Sequence, residues 1–408
     1  MPQVTSSKKE IWTMGSYSLL TLSIMIGFMY LNQFCTEVLK TPPEALAVAI
    51  AFEVFPTPGP VFLKLLVVTV AYAILNSLMN ILQTAYYGVV AAVAGPNPAN
   101  RQAMNVMMSR QSTVVTLITS FIPMLVTKLA FGQWNYFVVG VVFMLPMVFA
   151  LGAIAKCADG KDVPVGAAGE AHQVTVADMF RAMVENKFLL ALFIVHTVQY
   201  IGQFIFQGLN AYYWIYVYGD FSMMTYSNLV GGISGFVAAM IVPGFAAKLG
   251  KRKAVTIGYF ILPVIYICMG LMGRNWMGMM VITGLSFFAV YMYMPFLMLL
   301  YMDAAEWHFN KTGKDTRGIA VGLASPPMKI GMLLGGTIGL SLLGKIGLPA
   351  PGAVTDAWVS SFMKITYWVP AGFYLCMAIL FMLFYRLSDE EAARCAQENF
   401  ARMQNEQH

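Results

Sequence analysis

Apolar runs of about 20 residues or more, separated by short polar stretches, repeat along the whole chain. They fall near 11 to 39, 61 to 94, 102 to 131 and 135 to 156. After a polar stretch from 157 to 186 they return near 187 to 218, 223 to 248, 254 to 273, 276 to 303, 317 to 346 and 361 to 387. A helix needs about 20 apolar residues to cross the hydrocarbon of a bilayer. The pattern therefore predicts an all-α polytopic membrane protein of about ten spans. One further run, Glu44 to Phe55, is too brief to cross and is closed by Pro56, Pro58 and Pro60, which stop a helix. It reads as a stub. The expected organisation is an incomplete N-terminal bundle over 1–156 (four spans plus the stub 44–55), a cytoplasmic linker over 157–186, a six-helix bundle over 187–388 and a cytoplasmic tail over 389–408.

Composition agrees with this class. Hydrophobic residues make up 59% of the 408 positions and charged residues only 11%, with a mean hydropathy of +0.68, too little polar surface to cover a soluble globule. The net charge of +6 is spread over short clusters between apolar runs and forms no basic stripe of the kind nucleic acid needs. Those clusters instead report topology. With ten alternating spans, Lys8, Lys9, Arg101, Lys156, Lys161, Lys248, Lys251, Arg252, Lys253, Lys311, Lys314, Arg317, Arg386 and Arg394 share one side. Lys40, Lys128, Arg274 and Lys345 fall on the other. The positive-inside bias then places both termini in the cytoplasm, and the expected location is the cell (plasma) membrane. The five cysteines are far apart and match no metal or redox spacing, and no nucleotide-binding or nucleophile motif is present. Neither a cofactor nor an enzymatic activity is expected, and no obligate protein partner is indicated.

Polar side chains inside the spans are organised. His196, Gln199, Gln203, Gln207 and Asn210 recur at steps of three and four, so one helix face carries them, and Tyr212, Tyr213 and Trp214 close that row. Asn76, Asn80, Gln83 and Tyr87 form a similar row in the first half. Such rows suit a cavity for a polyol, which takes neutral donors, acceptors and aromatic faces; equally, amides tie helices together across a bilayer. Lys329 and Arg110 are cations within apolar runs, and each needs a partner or a wet site, since insertion of a cation costs about 2.5–3.5 kcal/mol. Gly331, Gly335 and Gly339 form a small-residue ladder for close helix packing, as do Gly231 and Gly235. Val176, Met179, Phe180 and Met183, set against Asp178, Arg181, Glu185 and Lys187, predict an amphipathic helix on the cytoplasmic face.

The charged stretch from Asp303 through Glu306, Lys311, Lys314, Asp315 and Arg317 to Gly318 reads as a loop between two spans, and Lys329 follows 26 residues after Asp303. This layout resembles the loop between helices X and XI of the glycoside-pentoside-hexuronide:cation symporters, the melibiose permease family of the major facilitator superfamily. Phe34-Cys35-Thr36-Glu37-Val38 is similar to that family's end of helix I. Tyr86-Tyr87 with Asn97, Arg101 and Arg110 is similar to the end of its helix IV, the following loop and the arginine of helix V. The resemblance covers most of the chain and implies a two-bundle fold of twelve helices. Most of helix II and all of helix III are missing between Phe55 and Phe62. The family's cation-binding aspartates of helix II therefore have no counterpart, and Glu53 is the nearest substitute. After Thr-Gly-Lys the family usually has arginine, one residue, then glutamate; here Asp315 and Arg317 exchange the signs.

What the resemblance implies is a secondary transporter of a sugar or glycoside, coupled to Na+ or H+ and working by alternating access. Gln83, Tyr87, Gln199, Gln203, Gln207, Asn210, Tyr213 and Lys329 are the candidate solute-binding residues. Arg110, Asp303, Glu306, Asp315 and Arg317 are the candidate gate and coupling residues, with Asp303 and Glu306 expected to pair with Lys311 or Arg252. The partners are a small-molecule solute and the lipid bilayer, without nucleic acid. Other readings stay open: a non-transporting remnant, an incomplete version of a twelve-span symporter, and a carrier of an amphiphilic, lipid-like solute.

Overall fold

The computed structural model describes residues 7–16, scattered positions between 70 and 115, and residues 117–131, 134–159, 176–314, 317–349 and 353–405. Among the described residues every regular element is helical. The chain divides into two compact units, one made of residues 1–171 with 219–232, the other of 172–218 with 233–408.

In the first unit, α1 (Lys8–Gly15) starts on a capping box in which Ser7 Oγ accepts from the Glu10 amide and the Glu10 carboxylate accepts from the Ser7 amide. The short helix α2 (Ile122–Lys128) and α3 (Asn135–Ala158) follow. Asn135 joins them: its amide donates to the carbonyls of Val126 and Leu129, 2.7 and 2.9 Å away, and its Oδ1 accepts from the Phe131 amide. That satisfies backbone groups which the turn between the helices would otherwise leave bare. The earlier spans of the N-terminal half, the stub 44–55 and the gap after Phe55 lie outside the described residues.

The second unit carries α4 (Val176–Glu185) and α5 (Lys187–Tyr212), which continues as a π-helix over Tyr213–Tyr218. Helix α6 (Met224–Leu249) begins in the first unit and ends in the second. Then come α7 (Lys251–Leu271), α8 (Trp276–Tyr293), α9 (Leu297–Thr312), α10 (Arg317–Leu323), α11 (Pro326–Ile346) and α12 (Asp356–Met363). A second π-helix, Lys364–Trp368, leads into α13 (Val369–Phe384), and α14 (Asp389–Asn405) ends the chain. Seven segments of the described chain are long and apolar enough to cross a membrane. Six of them, from Lys187–Tyr218 to Asp356–Phe384, match the six runs read from hydropathy in the second half.

Three boundaries differ from the sequence reading. The charged stretch from Asp303 is not a loop there: α9 runs through it to Thr312 and stops at Gly313, whose φ of 71° is the left-handed ending that a side chain disfavours. The charges do not break the helix because neighbouring helices supply partners for them. The apolar run 317 to 346 is interrupted at 324–325, where Ser325 precedes the Pro326-Pro327 start of α11. Residues 389–405, read as a tail, form a helix that packs along α9.

Helix α5 is the hub of this unit, packing on both α11 and α13. The glycine ladder explains the first contact. A Cβ on Gly335 meets the Ile201 carbonyl oxygen at 2.5 Å and Phe204 Cβ at 2.9 Å, and one on Gly331 meets the Tyr200 carbonyl carbon at 2.8 Å. The backbones are in near-direct contact, the condition under which dispersion alone holds membrane helices together. On the other side Gly202 admits α13, with a Cβ there 3.2 Å from the Pro370 carbonyl oxygen. Gly258 of α7 does the same for α8, where a Cβ comes 2.9 Å from the Ala289 carbonyl oxygen.

Gly335→Leu is expected to lower the thermal unfolding midpoint of the purified protein by several degrees, because overpacking costs about 1–3 kcal/mol or more. Gly140→Ala, where a Cβ meets nothing within 4 Å, is the matched control and leaves the midpoint unchanged or slightly higher. Equal midpoints for the two variants contradict the close-contact role of the ladder.

Candidate solute path and gate

The polar row of α5 divides into a bonded part and an open part. His196 is 2% exposed and lies between two tyrosines, its Nδ1 3.1 Å from Tyr301 Oη and its Nε2 3.2 Å from Tyr259 Oη. A neutral imidazole donates through one nitrogen and accepts through the other, and a phenol does either, so the triad closes without a charge. One turn on, Gln199 Nε2 donates to Tyr293 Oη at 3.2 Å, while its buried Oε1 has no partner among the described residues. The Tyr259 and Tyr293 rings lie 4.9 Å apart. This cluster ties α5 to α7, α8 and α9.

Gln203, Gln207 and Asn210 continue the row and are half-buried. Their side-chain amides make no hydrogen bond among the described residues. These amides are not among the buried orphan atoms, so they are accessible and are satisfied by water or by a solute. Three in succession on one face point to a water-filled or solute-filled space. The row ends at Tyr213, which is fully buried and donates its hydroxyl to the Gly273 carbonyl at 3.0 Å, so that hydroxyl is committed to the turn between α7 and α8.

At the end of the unit where α5 begins, ionic and amide contacts gather α7, α9 and α14. Asp303, midway along α9, pairs with Lys251, the first residue of α7, and not with the expected Lys311 or Arg252. The neighbouring Arg252 amide donates to both carboxylate oxygens of Asp389 at 3.3 Å. Gly250 makes that approach feasible: its φ is 82°, and a Cβ there comes 2.6 Å from Asp389 Oδ2. Glu306 accepts from Asn399 Nδ2 at 2.6 Å, and the same nitrogen donates to the Glu306 carbonyl at 2.9 Å. Trp307 Nε1 donates to Glu391, and Asn310 donates to Glu398 and Asn399. Asn186, fully buried before α5, donates to the Ala304 carbonyl at 2.8 Å and caps α5 through the Phe188 and Leu189 amides. Helix α14 is thus a brace on α9.

Lys329 is half-buried in the first turn of α11, beside the break after α10. A cation there faces the positive end of the helix dipole, an opposition of about 0.3–1 kcal/mol. Gln83, Tyr87, Arg110, Asp315 and Glu53 lie outside the described residues, and of Arg317 only the backbone, opening α10, is described. The structure therefore brings Gln199, Gln203, Gln207 and Asn210 onto one face, and groups Asp303 with Glu306 near α14. Lys251, Asp389, Asn399, Tyr259, Tyr293 and Tyr301 were not singled out from sequence. A signal for α14 was present: Ser388 followed by Glu391 is a helix-start pattern, and the Glu391 amide donates to Ser388 Oγ at 3.1 Å.

The family profile described as MFS/sugar transport protein matches residues 41–389. Among relatives, the glucuronide carrier protein homolog of Escherichia coli is 27% identical over 52% of this chain and 46% of its own length. The putative sulfoquinovose importer of Salmonella typhimurium is 20% identical over 87% of this chain and 75% of its own. The lactose permease of Leuconostoc lactis is 20% identical over 80% and 53%. The chain thus spans about half the length of two of these three relatives. In fold it is similar to the nucleoside transporter NupG in a point-mutant form (TM-score 0.58, 13% identity, 92% of this chain and 100% of that one). It is also similar to a D-xylose-proton symporter (TM-score 0.57, 13% identity, 92% and 88%).

Glu185, at the end of the amphipathic α4, accepts from Arg181 at 2.9 Å and from Lys314 at 3.1 Å. Those two cations, Arg181 first, hold its carboxyl below the ordinary 4.5. A depressed carboxyl stabilises the docked state above its unfolded value and loses that contribution as pH falls through the folded value. Hydrogen exchange across residues 179–185 is therefore expected to be pH-insensitive, after intrinsic-rate correction, above about 4.5 and to show reduced protection below it. Lys314→Gln flattens the acid loss; an unchanged profile in that variant removes Lys314 from the contact.

Proposed function

The chain belongs to the MFS/sugar transport protein family, and from that premise we propose a secondary active symporter that carries a sugar, glycoside or uronate by alternating access. It is an integral membrane transporter and not an enzyme. The observation that carries the solute class is the open part of the α5 row, Gln203, Gln207 and Asn210, with amides half-buried and unpaired among the described residues. Neutral amides offer one donor-acceptor pair per hydroxyl without the desolvation penalty of a charge. A polyol fits that chemistry, and relatives named for glucuronide, sulfoquinovose and lactose support it.

In this reading, solute occupies the space beside the open row while the His196 and Gln199 cluster holds α5 against α7, α8 and α9. The Lys251 and Asp303 pair acts as a latch at the cytoplasmic end, broken and remade as the transporter opens and closes to that side. The two side chains are only 23% and 19% exposed, so removing one partner leaves a largely buried charge unpaired, and the latch opens only where water or another charge replaces the lost partner. Coupling to Na+ or H+ belongs to the same reading, with Lys329 tuning the occupied state.

Uptake by purified protein in liposomes, under imposed Na+ or H+ gradients, tests the proposal with glucuronides, lactose and sulfonated sugars as solutes. Gradient-driven accumulation of one of them is expected; lysolipid transport without sugar transport contradicts the assignment. Gln203→Ala is expected to raise the KM about fivefold, the equivalent of one hydrogen bond of about 1 kcal/mol, with more when Gln207 and Asn210 are also changed. Lys329→Ala is expected to abolish uptake while the protein stays in the membrane, and normal uptake removes Lys329 from the path. Lys251→Asp combined with Asp303→Lys is expected to recover part of the uptake that either single change loses; no recovery contradicts the latch.

A further inference from the structure

At the opposite end of the second unit, a cavity of about 370 Å³ lies between α7 and the α12–α13 segment, apart from the α5 row. Arg274, Lys364, Asp356, Ser360, Met363 and Trp368 are among its lining residues. Arg274 is fixed there: it donates to the carbonyls of Val217 at 3.1 Å and Val354 at 3.4 Å, and its guanidinium lies 3.5 Å from the fully exposed carboxylate of Asp356. Lys364 is exposed and carries the second positive charge. The indole of Trp368 lies directly over Gly270, with its Nε1 donating to the Ile267 carbonyl at 3.3 Å. A side chain at position 270 collides with that indole, so the glycine is what lets the aromatic wall form.

From this charged end an exposed apolar surface runs down both helices. Ile267 and Leu271 on α7 and Trp368, Leu375 and Ile379 on the other wall are all exposed. From Trp368 to Ile379 the helical rise is about 16 Å, close to the roughly 15 Å of hydrocarbon in one leaflet. The joint between the two walls is the Trp368 contact with Ile267 and Gly270. We propose that this groove is a binding site for an anionic phospholipid, with the phosphate at Arg274 and Lys364 and an acyl chain along the apolar walls. A soluble sugar acid needs the two cations but has no use for three turns of exposed apolar wall. The net charge of the lining favours an anionic headgroup over a zwitterionic one, since Asp356 offsets one of two cations. The charge bias that places few basic residues on this side of the membrane makes a paired Arg and Lys here a feature that topology does not supply.

The test uses the full chain, delipidated in detergent and titrated with phosphatidylglycerol or phosphatidylcholine, with bound lipid counted by native mass spectrometry. Phosphatidylglycerol is expected to bind more tightly than phosphatidylcholine, and Lys364→Gln to weaken it about fivefold, the equivalent of about 1 kcal/mol for one basic residue at a lipid surface. Lys364→Arg is expected to restore binding. Because Lys364 is exposed, its substitution leaves the fold intact, which an unchanged thermal midpoint checks. Equal binding of the two lipids, or no effect of Lys364→Gln, overturns the site. Displacement of phosphatidylglycerol by inorganic phosphate or glucuronate assigns the cavity to a soluble anion and overturns the lipid assignment. None of these readouts depends on transport, so the site stands or falls separately from the symport proposal.

Discussion

The near-bare backbone contact between α5 and α11 is the constraint on which the second unit depends. Lipid tails are as apolar as leucine, so membrane helices gain little from hiding apolar surface in each other and associate through close packing. Gly331 and Gly335 remove the side chains that hold two helices apart, and Gly202 repeats the device against α13. With both neighbours in register, the rotation of α5 about its axis is fixed. The residues that meet α11, Tyr200, Ile201, Phe204 and Ile205, occupy one side, and the row from His196 through Gln199, Gln203 and Gln207 to Asn210 falls on another. The chemistry of the path thus follows from three missing side chains elsewhere.

Polar groups in this unit are handled in two ways. Near the start of α5 most buried groups find partners: His196 lies between two phenols, Asn186 is on the Ala304 carbonyl, and Gln199 donates to a third phenol, only its Oε1 having no partner among the described residues. Further along, the amides of Gln203, Gln207 and Asn210 are left for something else. Satisfied networks specify one packing; open ones invite a ligand. The ends of the unit are treated differently again. At one end, charged and amide groups on α7, α9 and α14 pair across helices and brace α9, which ends at the left-handed Gly313. At the other, Arg274 and the two π-helical segments, Tyr213–Tyr218 and Lys364–Trp368, gather aromatic rings around the chain turns.

Hydropathy made the six spans from Lys187 to Phe384 legible because each is a long apolar run closed by turn residues, and crossing a membrane leaves few alternatives to a helix. The row on α5 was legible for the same reason that helices are: a step of three and four names a face. What was not legible was partnership. Sequence placed Asp303 with Lys311 or Arg252, whereas Lys251, at the start of α7, reaches it instead. The charged stretch looked like a loop because charges end spans; it is helix because α14 shields it, and α14 was read as a tail although Ser388 and Glu391 announce a helix start. The tyrosines at 259, 293 and 301 carried no periodic signal toward α5, since each comes from a different helix. The counterpart row at Gln83 and Tyr87 lies outside the described residues.

The central claim is that the open amides of α5 face an aqueous solute path. Single substitutions Gln203→Cys, Gln207→Cys and Asn210→Cys, made one at a time in a chain whose native cysteines are replaced, can be challenged with a small water-soluble thiol reagent in liposomes. The account predicts that all three positions label and that the transported solute protects them, while a cysteine at Ile205, buried against α11, does not label. Absence of labelling at all three, or labelling indifferent to every solute the protein carries, contradicts it.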